Sequence, residues 1–329
     1  MSTLWLFNPE NDLALAHNTA RYTPSPRVAR LHERGALLPM WMARPGDLIA
    51  APPSLEPLAR WMAARYSLHG ELVTPANAGA ITSCSPWGWS LDAARQLRQW
   101  GAPESALPDL RRLEALRALS HRRTSIALLR ALGFPVLPVE ASTVEEALSA
   151  IDAFGGDAFV KQPWSSSGIG VFQASRYPQA KLIEFLTAFI RKQGSVLVER
   201  PWPKARDFAM LFHIDGANAR FAGLSVFDAS PSGLYKGNSI APQPELSRIL
   251  GANPATLTTL AARLCDILPR LLTAPDGTPY RGPAGIDMLL LPPHTSSLPP
   301  LPFGRIVPCI EINLRHTMGF VALARAFAR

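Results

Sequence analysis

The sequence lacks the features that mark several common protein classes. Its three cysteines lie far apart at Cys84, Cys265 and Cys309, and no CxxC pair is present. A disulfide framework or a structural zinc site is therefore not expected, and a reducing compartment is the expected environment. No apolar run is long enough to span a bilayer, and Met1–Asp12 lacks the basic region of a secretory signal peptide. We therefore expect a cytoplasmic protein that does not enter a membrane.

Charged residues are also few. They make up 18% of the chain beside 47% hydrophobic residues, which indicates a sizeable packed core rather than disorder. The net charge of +8 favours anionic ligands, nucleotides among them. The basic residues are scattered and form no block interleaved with aromatic residues, so nucleic-acid binding is the weaker interpretation.

Patterns of apolar residues indicate the organisation of the chain. Alternating strand and helix patterns predict an open α/β domain over residues 1–114, which begins with a buried strand at residues 4–7. The polar segment that follows this strand, residues 8–12, is expected to be a loop. Two α+β parts are predicted beyond it, at residues 115–200 and 201–329.

A lysine precedes a loop rich in glycine and serine at residues 160–171. Glycines allow backbone N–H groups to approach phosphate oxygens closely, and lysine adds a positive charge. The segment matches neither the Walker A nor the G-x-G-x-x-G pattern, and the alternative is an ordinary hairpin turn. The candidate phosphate-binding residues are Lys161, Ser165, Ser166, Ser167, Gly168 and Gly170.

A second candidate segment is an apolar strand that ends in Glu199 and Arg200 and breaks at Pro201. Backbone groups exposed at such a break can contact an adenine edge, and Asp207, further on, can accept hydrogen bonds from ribose. A surface acid at a strand end is the alternative for Glu199.

Two further apolar strands carry polar residues. Asp287 interrupts one strand, and a buried carboxylate requires a cation or strong donors. Alternation along the other strand places Glu311, Asn313 and Arg315 on one face. Hard oxygen ligands suit Mg²⁺ bound to phosphates, and arginine suits a phosphate clamp. The alternative is a half-exposed strand with a polar face.

These four segments, in this order, resemble the ATP-grasp superfamily over about residues 115–329, with Glu-x-Asn-x-Arg as the most specific part. The resemblance implies ATP bound between two α+β subdomains that follow a preceding α/β domain. It places Lys161 at the phosphates and the adenine side, Glu199 and Arg200 at adenine, and Asp207 at ribose. It also implies Mg²⁺ at Asp287, Glu311 and Asn313, with Arg315 at the transferred phosphoryl group.

Family members often carry a basic residue before the first helix, and Arg122 and Arg123 are the candidates here. Solvation of the helix is the favoured interpretation of these two arginines.

Candidate substrate residues occur in two places. Asn8, Glu10, Asn11 and Asp12 follow the first strand, where α/β sheets place ligands, although such residues also cap helices. Lys236 and Asn238 lie between a predicted strand and a predicted helix, in a segment that a plain surface turn explains equally well.

The expected activity is that of an ADP-forming ligase, which activates a small-molecule or peptide carboxylate as an acylphosphate for an amine or another nucleophile. An ATP-grasp kinase and a nucleotide-binding protein without turnover are the alternatives.

Overall fold

The computed structural model describes residues 2–165, 168–230, 235–293 and 299–327. Contacts divide the chain into two compact units. The first unit comprises residues 1–118, 240–242 and 314–329, and the second comprises residues 119–239 and 243–313.

The first unit is built on a parallel sheet. Its strands are β1 (Ser2–Leu6), β2 (Leu48–Ile49), β3 (Glu71–Leu72) and β4 (Ile81–Pro86), in the order β3-β2-β1-β4. Helices α1 (Asn11–His17), α2 (Pro26–Gly35), α3 (Glu56–Tyr66), α4 (Leu91–Gln99) and α5 (Leu110–Leu119) accompany the strands. Because β2 and β4 lie on opposite sides of β1, the carboxyl end of β1 is a switch point, where α/β sheets place ligands.

The second unit begins with α6 (Arg123–Ala131) and an antiparallel sheet. The following elements are β5 (Val139–Ala141), α7 (Val144–Ala153), β6 (Phe159–Lys161), β7 (Val171–Gln173), α8 (Gln179–Gln193) and β8 (Val196–Glu199). The strands pair in the order β5-β8-β6-β7. Apolar side chains of α7 and α8, such as Ile151 and Leu186, form one buried cluster with Val160 and Val198 of the strands.

A five-stranded antiparallel sheet follows in the second unit. Its elements are β9 (Arg206–Ile214), β10 (Ala219–Ala229), β11 (Tyr235–Asn238), α9 (Gln243–Leu250), α10 (Pro254–Leu271), β12 (Gly282–Leu290) and β13 (Ile306–Asn313). The strand order is β11-β10-β9-β12-β13. Residues 208–212 of β9 are all buried, so the middle of this strand is covered on both faces. Helix α11 (Met318–Phe327) ends the described chain and belongs to the first unit.

The predicted fold class is confirmed, since a parallel α/β sheet precedes two antiparallel sheets with their helices. Two local expectations are wrong. Asn11 and Asp12 lie in the first turn of α1 rather than in a loop, and Tyr235–Asn238 is the edge strand β11 rather than a turn. The division at residues 114 and 200 stays a prediction. In the described ranges, no helix is both long and apolar enough to cross a membrane.

Helix α7 provides a test of the local sequence signals. Its N-cap is Thr143, whose hydroxyl accepts from the Glu146 N–H at 3.2 Å, while the Glu146 carboxylate accepts from the Thr143 N–H at 3.3 Å. We predict that Thr143→Ala lowers the free energy of unfolding by about 1 kcal/mol, because it removes the capping hydroxyl. Urea unfolding measures this change. Thr143→Ser is the control and keeps the capping bond, so equal losses in both variants contradict the assignment.

Candidate active site

The predicted metal ligands lie together on one face of the five-stranded sheet. Asp287 on β12 and Glu311 on β13 are register partners, so both side chains project from the same face. Asn313 pairs with Gly285 on that face, and its Nδ2 donates to Asp287 Oδ2 at 3.1 Å. The intervening Ile286 is fully buried, whereas Asp287 and Glu311 are half-buried.

This set of donors fits Mg²⁺ bound to a nucleotide. Carboxylate and amide oxygens are hard ligands, and Mg²⁺ at such sites takes one or two carboxylates while phosphates and waters complete the shell. In the described part of the chain, no three His, Cys, Asp or Glu side chains come together as a metal-binding group. A cation held by Asp287, Glu311 and Asn313 therefore needs further oxygen donors from a ligand.

Asp207, the predicted ribose ligand, projects from the same sheet face on β9. Its register partner is Leu289, two residues beyond Asp287. Lys204 Nζ lies 2.6 Å from Asp207 Oδ2. Burial raises the pKa of Asp207, and the ion pair with Lys204 opposes that shift only in part. The ribose contact stays a prediction.

Arg122 reaches this sheet face from the start of α6. Its side chain is 6% exposed, so the expectation that it solvates the helix is wrong, whereas the Arg123 side chain is 61% exposed. Arg122 Nη1 donates to the Gln162 carbonyl at 2.7 Å and to Ser165 Oγ at 2.5 Å. Arg122 Nη2 donates to Glu311 Oε1 at 2.7 Å. The arginine therefore bridges the lysine loop and a predicted metal ligand.

The lysine loop joins β6 to β7, as the sequence predicted. The Gln162 N–H donates to the Gly170 carbonyl at 2.8 Å and closes the base of the loop. Gly168 and Gly170 have φ angles of 77° and 74°, a region that favours glycine. A Cβ on Gly170 would also crowd the Gln162 amide. Ser166 and Ser167 lie outside the described residues, so their phosphate contacts stay predictions.

Lys161 and Glu199 form a buried ion pair at the ends of β6 and β8. Lys161 Nζ lies 2.5 Å from Glu199 Oε2, and the residues are 8% and 7% exposed. The alternative that Glu199 is a surface acid is therefore wrong. The charge of Lys161 is already balanced in this structure, so an incoming phosphate competes with Glu199 for it.

A small cleft lined largely by apolar residues adjoins Glu199 and Arg200. The Arg200 guanidinium lies over the Trp202 ring at 5.4 Å, and Phe134 packs against the same indole at 5.6 Å. The cleft is lined by Leu129, Phe134, Val136, Leu137, Pro138, Glu199, Arg200, Trp202, Val307, Cys309 and Ile310.

Arg315 does not lie on the strand, which corrects the sequence analysis. Strand β13 ends at Asn313, and residues 314–329 belong to the first unit. There the guanidinium binds the Asp12 carboxylate with both Nε and Nη2, at 2.9 and 2.7 Å from Oδ2. Asp12, predicted to bind substrate, therefore orients Arg315 in this structure.

The other predicted substrate residues after β1 are buried. Asn8 exchanges hydrogen bonds with the backbone of Gly88, at 2.9 Å to its carbonyl and 3.3 Å from its N–H. The Asn11 side-chain nitrogen donates to the same Gly88 carbonyl at 2.9 Å, in the amide orientation that also brings it 3.2 Å from the Trp89 carbonyl. Glu10 Oε1 lies 3.2 Å from His32 Nδ1. Asn8 and Asn11 therefore join the loops after β1 and β4, and the substrate roles stay predictions.

Lys236 and Asn238 lie on the edge strand β11. Lys236 is exposed, whereas Asn238 donates to Ser225 Oγ at 2.7 Å and accepts from the Tyr235 hydroxyl. Burial raises the pKa of Tyr235 to about 12, so its hydroxyl stays protonated and remains a donor at neutral pH. Contact of Lys236 and Asn238 with substrate stays a prediction.

Comparison with solved structures finds chains of similar fold. The biotin carboxylase domain of Hydrogenobacter thermophilus 2-oxoglutarate carboxylase matches with a TM-score of 0.54 and 13% identity, covering 99% of this chain and 69% of that chain. Biotin carboxylase from Campylobacter jejuni matches with a TM-score of 0.54 and 13% identity, covering 98% of this chain and 67% of that chain. An N5-carboxyaminoimidazole ribonucleotide synthetase matches with a TM-score of 0.50 and 12% identity, covering 95% of this chain and 70% of that chain.

The chain has the ATP-grasp fold. No protein-family model matches the sequence, and no curated protein matches it either. The structural likeness therefore carries the assignment of the fold, which is the fold that the resemblance of the four segments implied.

The buried ion pair in this ATP-grasp fold gives a stability test. We predict that Lys161→Ala lowers the free energy of unfolding by about 3 kcal/mol, because it leaves the buried Glu199 carboxylate without its cation. Adding Glu199→Gln to that variant removes the unpaired charge and recovers most of the loss. Urea unfolding measures both.

Lys181→Ala is the control for this test, since it breaks an exposed pair with Glu184. Exposed pairs contribute about 0.2–1 kcal/mol. A Lys161→Ala loss as small as that of the control would contradict the buried-pair account.

Proposed function

We propose that this ATP-grasp protein is an ATP- and Mg²⁺-dependent ligase that activates a carboxylate as an acylphosphate. The observation that carries the proposal is the polar set Asp287, Glu311 and Asn313 on one face of the five-stranded sheet. Together they form a compact set of hard oxygen ligands, of which Glu311 Oε1 is paired with Arg122 in this structure. Within the described residues no group of three His, Cys, Asp or Glu side chains forms a metal site, so the phosphate oxygens of a Mg²⁺–nucleotide complex would complete the coordination.

The remaining features of the second unit support nucleotide binding. The cleft beside Glu199 and Arg200 is lined largely by apolar residues, which agrees with the predicted adenine contact, although it has room only for water in this structure and must open to admit a purine ring. Lys161 and the loop that follows it provide charge and backbone donors for phosphates. Asp207, on the same sheet face as the metal ligands, suits a ribose hydroxyl.

The bound ligands of two neighbours agree with this proposal. The Hydrogenobacter thermophilus domain was solved with MgADP, ADP and bicarbonate. The N5-carboxyaminoimidazole ribonucleotide synthetase was solved with ADP. For the present chain these ligands indicate which nucleotide and metal to test first.

The proposed reaction has two steps. A carboxylate oxygen of the substrate attacks the γ-phosphorus, and the bond to the bridging oxygen breaks, so ADP leaves with the electron pair. An amine or another nucleophile then attacks the acyl carbon, phosphate leaves, and the nucleophile loses its proton. The protein forms no covalent intermediate in either step.

The chain's own residues contribute mainly by position and charge. Lys161 neutralises charge on the phosphates once they displace it from Glu199, its partner in this structure. Arg315, oriented by Asp12, is proposed to steady the transferred phosphoryl group. When bound, Mg²⁺ supplies Lewis-acid neutralisation of the outer phosphates and would be held by Asp287, Glu311 and Asn313.

Binding of Mg²⁺ and ATP tests the proposal directly. We predict that ATP with Mg²⁺ raises the midpoint of thermal unfolding well above the shift produced by ATP alone, because ligand that binds only the folded state stabilises it. At 100 times the dissociation constant, the stabilisation is about 2.7 kcal/mol. Glu311→Gln conserves size and removes a metal ligand, so the Mg²⁺-dependent part of the shift and the turnover of ATP should be lost.

An unchanged circular dichroism spectrum is the control for folding of Glu311→Gln. A wild-type midpoint that Mg²⁺ and ATP leave unmoved would contradict the proposed function. Near wild-type turnover in a folded Glu311→Gln variant would contradict the metal assignment alone. If ATP is consumed without any added nucleophile and a stable phosphorylated substrate accumulates, the protein is a kinase instead.

A further inference from the structure

Arg122 connects two parts of the second unit that are distant in sequence. Through Nη1 it holds Ser165 and the Gln162 carbonyl at the start of the lysine loop, and through Nη2 it holds Glu311 on β13. Its own backbone N–H donates to the Pro163 carbonyl at 3.2 Å. A single side chain thus contacts the loop that is proposed to bind phosphates and a proposed ligand of the metal.

The start of the loop is held rigidly around Arg122. The Trp164 N–H donates to Gln193 Oε1 at 2.9 Å, and Gln193 Nε2 donates back to the Trp164 carbonyl at 3.1 Å. The Trp164 ring packs edge to face on His121 with centroids 4.7 Å apart. Gln193, the last residue of α8, therefore anchors this part of the loop, and Arg122 joins the anchored segment to Glu311.

The charge of Arg122 has one carboxylate partner in the described part of the chain. That partner is Glu311, and the Arg122 side chain is only 6% exposed. Its Nε is buried without an acceptor among the described residues. A buried guanidinium without a carboxylate partner destabilises the folded state, so the folded protein strongly favours the ion pair with Glu311.

The contact also leaves part of Glu311 available. Arg122 donates to Oε1 at 2.7 Å, and no hydrogen bond within the described residues engages Oε2. Outer partners that fix one oxygen of a carboxylate orient the other toward a metal, and their loss typically weakens metal binding about 10- to 100-fold.

We propose that Arg122 is a positioning residue that aligns Glu311 with the lysine loop, so that metal binding and nucleotide binding are coupled. This inference rests on the proposed function. It assigns Arg122 to the coupling between the two ligands rather than to the affinity for nucleotide alone. Coupling of this kind is reciprocal, so Mg²⁺ tightens nucleotide binding by the same factor by which nucleotide tightens Mg²⁺ binding.

The test measures binding rather than turnover. Isothermal titration gives the affinity for a non-hydrolysable ATP analogue without Mg²⁺ and at saturating Mg²⁺, and the ratio of the two is the coupling factor. We expect Arg122→Gln to lower that factor at least about tenfold while the affinity without Mg²⁺ changes much less. Arg123→Gln is the matched control and should keep the wild-type factor, because Arg123 is exposed and binds Glu140.

Arg122→Lys keeps the charge and guards against loss of folding in the glutamine variant. Its single ammonium replaces the planar guanidinium poorly at a bridging site, so the coupling factor should again fall. Equal coupling in wild type and in folded Arg122 variants would overturn the inference and leave the proposed function intact. A loss of affinity that is the same with and without Mg²⁺ would also overturn it, since Arg122 would then act on the nucleotide alone. A wild-type protein that binds no analogue would overturn both.

Discussion

The burial of two cations constrains the second unit more than any other feature. Arg122 and Lys161 are each at least nine-tenths buried, and each has a carboxylate partner, Glu311 and Glu199 respectively. Buried ion pairs contribute little net stability compared with apolar packing, yet breaking one is costly. Stability alone therefore does not explain why these two ion pairs are buried. They suit a binding site, where phosphates and a divalent cation replace partners in the existing ion pairs.

The shared sheet face of Asp287, Glu311 and Asn313 could be predicted in part from sequence, because side chains alternate between the two faces of a strand. Alternation along β13 identified Glu311 and Asn313, whereas Asp287 was identified because it interrupts an apolar strand, and the roles of all three as metal ligands stay predictions. The same reasoning failed for Arg315, because the strand ends at Asn313 and alternation has no meaning beyond it. The partners of Arg122 were also beyond prediction, since they are set by packing between segments 43 and 189 residues away.

The first unit shows a similar division between local and long-range signals. The strand at the start of the chain was evident from its apolar run, but α1 is only 7 residues long and has no side-chain cap bond. Its helical state depends on tertiary contacts, among them the burial of Asn11 against Gly88, and a polar loop was the natural expectation. The loops after β1 and β4 are joined by Asn8, so their geometry is fixed before any substrate binds. The ATP-grasp fold does not identify that substrate, because function depends on the site rather than on the fold.

The central claim is that the γ-phosphate is the group attacked, and analysis of the nucleotide product tests it most directly. The protein would be incubated with ATP, Mg²⁺, pools of carboxylic acids and hydroxylamine, and the nucleotides separated by chromatography. A site in which Asp287, Glu311 and Asn313 hold a metal on the outer phosphates predicts ADP and phosphate in equal amounts, with the activated acid trapped as a hydroxamate. Release of AMP and pyrophosphate would contradict the account, even if ATP bound and every metal ligand proved correct.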